Sequence, residues 1–320
     1  MHIAIIGAGI AGLSCAQELK LAGHRVSVFE KSRGVAGRMC TRKTAEWECD
    51  HGAQYFTARD PAFIAQVDRW LADKAVALWN PTIAIYQDRQ WTKPHTALNR
   101  YVGTPHMNSA AKSLAASLSI HTEHTVERIE FNGQRWSLST KEHGALADRF
   151  DAVILAIPAP QAQQLLQEMD TPLNVIANSA QMLGCWTMML NFADKLNVSF
   201  DAAFINQGKL SWIANNNSKP QRSGLPTWLV HANSAWSQEN IELEPAEAAD
   251  ILIEAFAELT NARPVNHTIH RWRYASTLNN LDLEFGMDSD KRLGLCGDWL
   301  NGGRVEGAWL SGYKLAQQFR

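Results

Sequence analysis

A glycine-rich turn near the start of the chain carries the first chemical signal. Gly7, Gly9 and Gly12 form a GxGxxG pattern between an apolar strand pattern and a helix pattern, in the stretch IAIIGAGIAGL. In such a turn the first glycine makes a tight bend, the second lets the backbone approach a pyrophosphate, and the third lets the helix pack closely. The helix N-terminus then faces the phosphates. The spacing therefore predicts a dinucleotide site.

An acid at the end of the next strand pattern narrows the choice of dinucleotide. Glu30 follows RVSVF, about 20 residues after the glycines. A carboxylate only accepts hydrogen bonds, so it can bind the hydroxyls of an adenosine ribose, and it repels a phosphate on the ribose 2′ oxygen. The adenosine half is thus predicted to be unphosphorylated at that position, as in NAD or FAD.

A second glycine cluster, near the C-terminus, favours FAD. The stretch CGDWLNGGRVEGAWLSGYKLA follows a strand pattern and opens a helix near Gly307 and Ala308. It resembles the C-terminal flavin motif of the FAD-dependent amine oxidase superfamily. The resemblance implies that Asp298 accepts a hydrogen bond from the ribityl chain and that Gly297 allows close approach. The helix N-terminus would face the flavin pyrimidine edge, where negative charge collects on reduction.

Two further stretches extend the resemblance to flavoproteins. In EKSRGVAGRM, Arg38 takes the place of an arginine that approaches the pyrophosphate. In DHGAQYFT, a segment that runs beside the isoalloxazine in the family, the resemblance covers Gly52, Ala53, Gln54 and Tyr55. Gly52 suits this place because a missing Cβ lets the backbone approach the ring. The other residues assigned to the cofactor site are Ala11, Lys31, Val126 and Pro158.

Together with DAVILAIPAP, LVHANSAWS and HRWRYA, these blocks resemble the renalase branch of the superfamily. They occur at both ends of the chain and through much of its second half. The resemblance implies an oxidase that accepts hydride from the 2- and 6-dihydro isomers of NAD(P), yields NAD(P)+ and passes electrons to oxygen to give hydrogen peroxide. The motifs place no cysteine or histidine against the flavin, so FAD is expected to be bound non-covalently.

One departure from the amine oxidases concerns a lysine. Many members carry a lysine on an apolar strand of the substrate domain, linked by water to flavin N5, whereas the comparable stretch here, MLGCWTMMLNF, has none. Hydride loss from a dihydropyridine creates an aromatic pyridinium and needs stacking more than acid–base assistance. This favours a dihydronicotinamide donor. An oxidase of a small amine and a protein that uses FAD without redox turnover stay open as alternatives.

The donor is expected to contact aromatic and basic residues in the blocks that resemble the family's substrate domain. The candidates are Trp212, His231, Trp272, Arg273 and Tyr274. Arg273, Arg222 and Lys219 could meet a substrate pyrophosphate. Packing in a core or display on the surface is the competing interpretation for each of these residues.

These motifs require a two-domain α/β architecture. Residues 1–57, 100–164 and 286–320 are predicted to form a Rossmann-like FAD-binding domain, a parallel sheet with helices. Residues 58–99 and 165–285 are predicted to form an inserted α+β substrate domain with a mostly antiparallel sheet.

Composition excludes several classes of protein. The 30 basic and 32 acidic residues leave a net charge of -2, unlike a nucleic-acid binder or a polybasic membrane anchor. Five scattered cysteines without a CxxC pair argue against a disulfide framework and against a zinc site, and no metal is expected. The chain opens on a strand pattern and lacks a long apolar run, so we expect a cytoplasmic protein whose partners are a small-molecule substrate and oxygen. The oligomeric state stays open.

Overall fold

The computed structural model describes residues 1–94 and 98–319. Within these ranges no helix is long and apolar enough to cross a membrane. The α-helices of the described residues are α1 (Ile10–Leu21), α2 (Pro61–Ala72), α3 (Ser109–Ala115), α4 (Ala159–Leu166), α5 (Leu173–Ser179), α6 (Ser234–Glu239), α7 (Pro245–Thr260) and α8 (Val305–Ala316).

The strands of the described residues occur along the whole length of the chain. They are β1 (His2–Ile6), β2 (Arg25–Phe29), β3 (Thr41–Lys43), β4 (Glu48–Asp50), β5 (Val76–Trp79), β6 (Ile83–Gln87), β7 (Gln90–Thr92), β8 (Arg100–Gly103), β9 (Ser119–His121), β10 (Val126–Phe131), β11 (Trp136–Thr140), β12 (Gly144–Ala145), β13 (Ala152–Leu155), β14 (Met182–Asn191), β15 (Ala202–Ile205), β16 (Leu210–Asn215), β17 (Thr227–Ala232), β18 (Asn266–Thr277), β19 (Gly286–Asp288) and β20 (Leu293–Leu295).

The first sheet is the predicted parallel one. Its six strands lie in the order β19-β20-β13-β1-β2-β9, and every pair is parallel except β19 with β20. Strand β13, AVIL, is buried along its whole length, as expected for a strand covered by helices on both faces. Helices α1 and α8 pack so closely that a Cβ on Gly312 would lie 2.0 Å from the carbonyl oxygen of Ala11. This confirms the Rossmann-like part of the fold.

The second sheet is the predicted, mostly antiparallel one. Its seven strands lie in the order β18-β14-β17-β16-β15-β6-β7, and only β15 with β6 is parallel. The amphipathic helix α7 buries Leu252 and Phe256 in a core that includes Trp186 and Trp228 from one face of this sheet. The opposite face is turned away from this core.

Every strand of the parallel sheet comes from the segments predicted for the FAD-binding domain, and every strand of the second sheet from those predicted for the substrate domain. The segments of the two predicted domains also contact each other. Strand β5 pairs with β8 across the predicted boundary at residue 100, and α5, from a predicted substrate segment, packs against α4 of the other domain. The division itself stays a prediction.

Candidate functional site

The glycine turn forms an open cradle at the carboxyl end of β1. Gly7 has a φ of +104°, and a Cβ there would lie 2.5 Å from the carbonyl oxygen of Ala156. A Cβ on Gly12 would lie 2.1 Å from the carbonyl oxygen of Gly7, whereas a Cβ on Gly9 would have no neighbour within 4 Å. The first and third glycines thus face packed backbone and the second faces open space. This is the division that a pyrophosphate site requires.

The N-terminus of α1 opens onto the same cradle. Gly9 is the N-cap, and among the described residues no side chain caps the helix. The N–H groups of the first turn, which includes the buried Ala11, have no intrahelical acceptors. A helix end of this kind fits the negative charge of a dinucleotide phosphate. The residues present therefore fit the cofactor that the sequence predicts.

Glu30 ties the cradle to the loops beside it. Its buried carboxylate accepts hydrogen bonds of 2.8 Å from the backbone N–H groups of Ala8 and Ser32. A carboxylate offers about four acceptor positions, so about two remain for ribose hydroxyls. The N–H of His124 donates to the Glu30 carbonyl oxygen over 2.9 Å, which brings the start of β10 at Val126 close to the cradle. Lys31, the next residue, is exposed.

We expect Glu30→Gln to weaken FAD binding about tenfold. The amide has one acceptor oxygen instead of two, and a hydrogen bond to a charged group contributes about 1.5–3 kcal/mol. Titration of the apoprotein with FAD measures the dissociation constant. Glu123→Gln, a change of an exposed acid on a neighbouring loop, serves as the control. Undiminished affinity in Glu30→Gln would remove Glu30 from the site.

An ion pair joins two of the cofactor motifs, the stretch EKSRGVAGRM and the C-terminal glycine cluster. The guanidinium of Arg38 donates to both carboxylate oxygens of Asp298, once over 3.0 Å, and to the carbonyl oxygen of Ala275 over 3.1 Å. The predictions placed Arg38 at the pyrophosphate and Asp298 at the ribityl chain. The structure brings the two side chains into direct contact, so the motifs that carry them border the same region.

Gly52 and Ala53 pack against the backbone of Arg38. A Cβ on Gly52 would lie 1.9 Å from the Arg38 carbonyl oxygen, and the N–H of Ala53 donates to that oxygen over 2.8 Å. The expected reason for glycine here was close approach to the flavin ring. The nearer reason is the Arg38 carbonyl, which fills the space that a side chain would need.

The C-terminal helix also differs from the prediction, both in its first residue and in the atom that lies next to Gly307. Helix α8 begins at Val305, two residues before Gly307, and among the described residues no side chain caps it. A Cβ on Gly307 would lie 1.8 Å from the carbonyl oxygen of Asn301. A larger residue there would therefore disrupt the preceding turn, whatever lies beyond the helix. Ala308, the next residue, is buried in the first turn.

Trp299 lies between the two remaining cofactor candidates, Gly297 and the turn that contains Pro158. A Cβ on Gly297 would lie 2.7 Å from Trp299 Nε1, and that nitrogen donates to the carbonyl oxygen of Ile157 over 3.1 Å. Pro158, the following residue, is the N-cap of α4. The turn before α4 also borders the cradle, since a Cβ on Gly7 would lie 3.0 Å from a side-chain carbon of Ile157.

The other face of the second sheet, away from α7, carries a continuous row of side chains. Register places its five members side by side on β18, β14, β17, β16 and β15, and side chains in such a row share one face. The row, which we call the donor-side row, consists of His270, Thr187, His231, Trp212 and Phe204. Its Trp212 ring lies 5.7 Å from the ring of Tyr55, and its His270 ring lies 5.1 Å from that of His51. The row therefore faces the segment that contains Gly52.

Strand β18 adds one predicted donor residue to this face. Trp272 lies two residues after His270 along the strand, so it shares its side of the sheet, whereas Tyr274 lies in the stretch where the pairing of β18 with β14 shifts register. The Trp272 ring stacks on His51 at 5.4 Å, and its Nε1 donates to the His51 carbonyl oxygen over 2.9 Å. Three of the five predicted donor residues, Trp212, His231 and Trp272, are thus brought to one face.

The three residues predicted for a substrate pyrophosphate have partners within the protein. Arg273 points to the other side of β18 and bonds to Glu242 over 2.6 and 3.0 Å. The side chains of Lys219 and Arg222 are completely buried and lie 3.1 and 2.7 Å from Asp50 Oδ2. Lys219 also donates to Gln54 Oε1 over 3.0 Å.

Asp50 is a functional candidate that the sequence analysis missed. Burial acts to raise the pKa of its carboxyl, but the charges of Lys219 and Arg222 hold that pKa well below its usual range. Burial lowers the pKa of Lys219. The polar loop that carries both cations has the composition of a solvated segment, and no spacing in the sequence connects it with Asp50.

Two imidazoles at the row, those of His231 and His51, are uncharged at neutral pH. Burial lowers the pKa of His231 to about 4, and the charge of Lys219 acts in the same direction. Burial, together with His270 and Arg42, lowers the pKa of His51 to about 4. Trp212 Nε1 is buried and has no acceptor among the described residues. The row therefore offers an aromatic, uncharged surface with a free N–H donor.

Two family descriptions match the chain. Residues 5–70 match an NAD(P)-binding Rossmann-like domain, and residues 82–319 match flavin containing amine oxidoreductase. The chain is similar to renalase of Mus musculus, with 20% identity over 304 residues that cover 88% of this chain and 86% of that protein. An L-amino-acid oxidase of Siganus canaliculatus is 37% identical over 84 residues, which are 26% of this chain and only 15% of that protein.

The fold also matches solved structures. Cyclohexylamine oxidase from Brevibacterium oxydans IH-35A superposes with a TM-score of 0.75 over 99% of this chain and 98% of that one, at 13% identity. A likeness at this identity shows a shared fold. The amine oxidoreductase match covers most of the chain and both glycine-rich ends lie in the matched fold, so the protein belongs to the flavin containing amine oxidoreductase family.

Proposed function

We propose that the protein is an FAD-dependent oxidase of isomeric dihydronicotinamide dinucleotides, the 2- and 6-dihydro forms of NAD(P). When bound, FAD accepts a hydride from the donor and passes two electrons to oxygen. The donor, oxygen and one proton thus give NAD(P)+ and hydrogen peroxide. The observation that carries the proposal is the donor-side row, an uncharged aromatic surface that faces the segment beside Gly52. Similarity to renalase over most of both chains supports it.

The row suits a donor whose oxidation requires orientation rather than a base. Loss of hydride from a dihydropyridine leaves an aromatic cation, and no C–H proton has to be removed. Trp212 and Trp272 provide ring surface for stacking. Neutral His231 can donate or accept a single hydrogen bond without placing a charge next to the pyridinium product. The N–H of Trp212, which has no acceptor among the described residues, can donate to a polar group of the bound ring.

We expect the FAD to be released intact when the protein is precipitated with acid. Cys40 lies beside His51, with Sγ 3.3 Å from Nε2, and burial raises the pKa of its thiol to about 12. The thiolate that attacks an electrophile is therefore scarce at neutral pH. Absorbance of the supernatant and of the pellet measures the release. Flavin that stays on the denatured chain would contradict non-covalent binding.

A second candidate is the oxidation of a small amine. The observation in its favour is Lys219, which comes from a loop rather than from β14 and brings a buried ammonium near His231. Both of its described acceptors, Asp50 and Gln54, belong to the segment that faces the row. The strand β14, MLGCWTMMLN, lacks the lysine that many amine oxidases carry there. The loop that contains Lys219 supplies a lysine instead.

Anaerobic mixing of the FAD-loaded protein with candidate donors tests the proposal. Bleaching of the flavin absorbance by 2- or 6-dihydro-NAD(P), with formation of peroxide when air is admitted, is the expected result. Bleaching by amines alone would establish the second candidate. A flavin that none of these donors bleaches would indicate that FAD serves without redox turnover.

A further inference from the structure

Arg42 is a partly buried cation that has no partner in the described part of the chain. It lies on β3, and its guanidinium has no hydrogen-bond or ion-pair partner among the residues that the structure describes. A partly desolvated guanidinium has five N–H donors to satisfy. By contrast, Lys43, the next residue, is exposed and lies 3.7 Å from Glu48 Oε2. A bound molecule could supply the acceptors that Arg42 lacks.

The β3–β4 hairpin directs Arg42 towards the donor-side row. Cys40 lies two residues earlier, so the two side chains share one face of the hairpin. Cys40 Sγ is 3.3 Å from His51 Nε2, and His51 contacts the rings of His270 and Trp272 at 5.1 and 5.4 Å. Arg42 is therefore next to the end of the row that β18 forms.

The charge distribution around Arg42 favours an anion. Its charge contributes to the lowered pKa of His51 and, after burial, is the cause of the lowered pKa of His270. On the other face of the hairpin, Asp50 is matched by two buried cations, Lys219 and Arg222. Positive charge thus exceeds negative charge on both faces, which raises the local concentration of anionic ligands.

We infer that Arg42 binds the diphosphate of the dinucleotide donor while the dihydronicotinamide ring stacks on the donor-side row. The planar fork of a guanidinium matches two phosphate oxygens. Arg42 would take the role that the sequence analysis gave to Arg273, Arg222 and Lys219. This inference rests on the proposed function, because it requires a donor that carries phosphate groups.

The test compares ligands with and without phosphate on the FAD-loaded protein. The variant is Arg42→Gln, and the matched control is Lys43→Gln, which changes an exposed cation on the other face of the same strand. Calorimetry gives the dissociation constants of NAD+ and of nicotinamide riboside, and kinetics give KM and kcat for the dihydro forms of both. Arg42→Gln should weaken NAD+ binding and raise the dinucleotide KM about tenfold. Binding of the riboside, kcat and FAD content should not change, and Arg42→Lys should restore part of the loss.

Each of the following results would overturn the inference. Equal losses for NAD+ and the riboside would show that Arg42 acts on the ring or on the fold. A loss of FAD content would place Arg42 in the cofactor site. An equal effect of Lys43→Gln would show that the loss of NAD+ affinity comes from a general change in surface charge. If the riboside donor bleaches the flavin in every variant while NAD+ binding is unaffected, the inference fails and the proposed function stands. If only amines bleach the flavin, the proposed function fails.

Discussion

Gly12→Ala is expected to prevent stable folding, whereas Gly9→Ala should fold normally and lose FAD. A Cβ on Gly12 would lie 2.1 Å from the Gly7 carbonyl oxygen, and one on Gly9 would meet nothing within 4 Å. Overpacking among side chains costs about 1–3 kcal/mol, and here the obstructing atom is backbone, so the cost should exceed that range. The φ of Gly9, -74°, is compatible with alanine.

Denaturant unfolding of the apoproteins and FAD titration separate the two effects. Gly34→Ala is the control, since a Cβ there would also have no neighbour within 4 Å. Gly9→Ala should match this control in the free energy of unfolding and fall below it in FAD affinity. Normal FAD affinity in Gly9→Ala would mean that the phosphates do not approach the chain at this turn.

The second large effect is expected for Asp50→Asn. The change leaves two cations, Lys219 and Arg222, completely buried without their carboxylate. Removal of one partner of a buried ion pair costs about 3–5 kcal/mol. Urea unfolding at neutral pH measures the loss. Glu254→Gln, which breaks an exposed pair with Arg263, should have little effect. A small loss in Asp50→Asn would show that the cluster is open to water.

Asp50→Asn should also change how the stability of the protein depends on pH. Asp50 has a lower pKa in the folded protein than in the unfolded chain, where it is about 3.9, so its contribution is complete above that value and is lost as the pH falls further. His51 and His231 titrate near pH 4 when folded and near 6.5 when unfolded. Because the unfolded chain binds more protons between these values, stability should fall as the pH drops from about 6.5. The Asp50→Asn variant should keep the decrease in stability that the histidines cause below about pH 6.5. It should lose the further decrease that Asp50 causes below about pH 4.

The glycines show which structural roles can be predicted from the neighbouring sequence alone. Gly7, Gly9 and Gly12 act within one strand, turn and helix, and their predicted roles agree with the space around each of them. Gly52 was also predicted to allow close approach because it has no side chain, and Gly307 was assigned to the start of the C-terminal helix; a Cβ has no room at either position. The atom that takes up the room was not predictable, because it belongs to Arg38 in one case and to Asn301 in the other.

Local patterns by themselves determined the elements of this protein: the buried strands, the amphipathic helices, the dinucleotide turn and the acid that follows it. Periodicity and turn chemistry act over a few residues, so they can be read directly along the chain. Tertiary structure alone decided which side chains meet. Arg38 reaches Asp298 across 260 positions, and Asp50 reaches Lys219 across 169. Strand register, a non-local property, placed His270, Thr187, His231, Trp212 and Phe204 in one row.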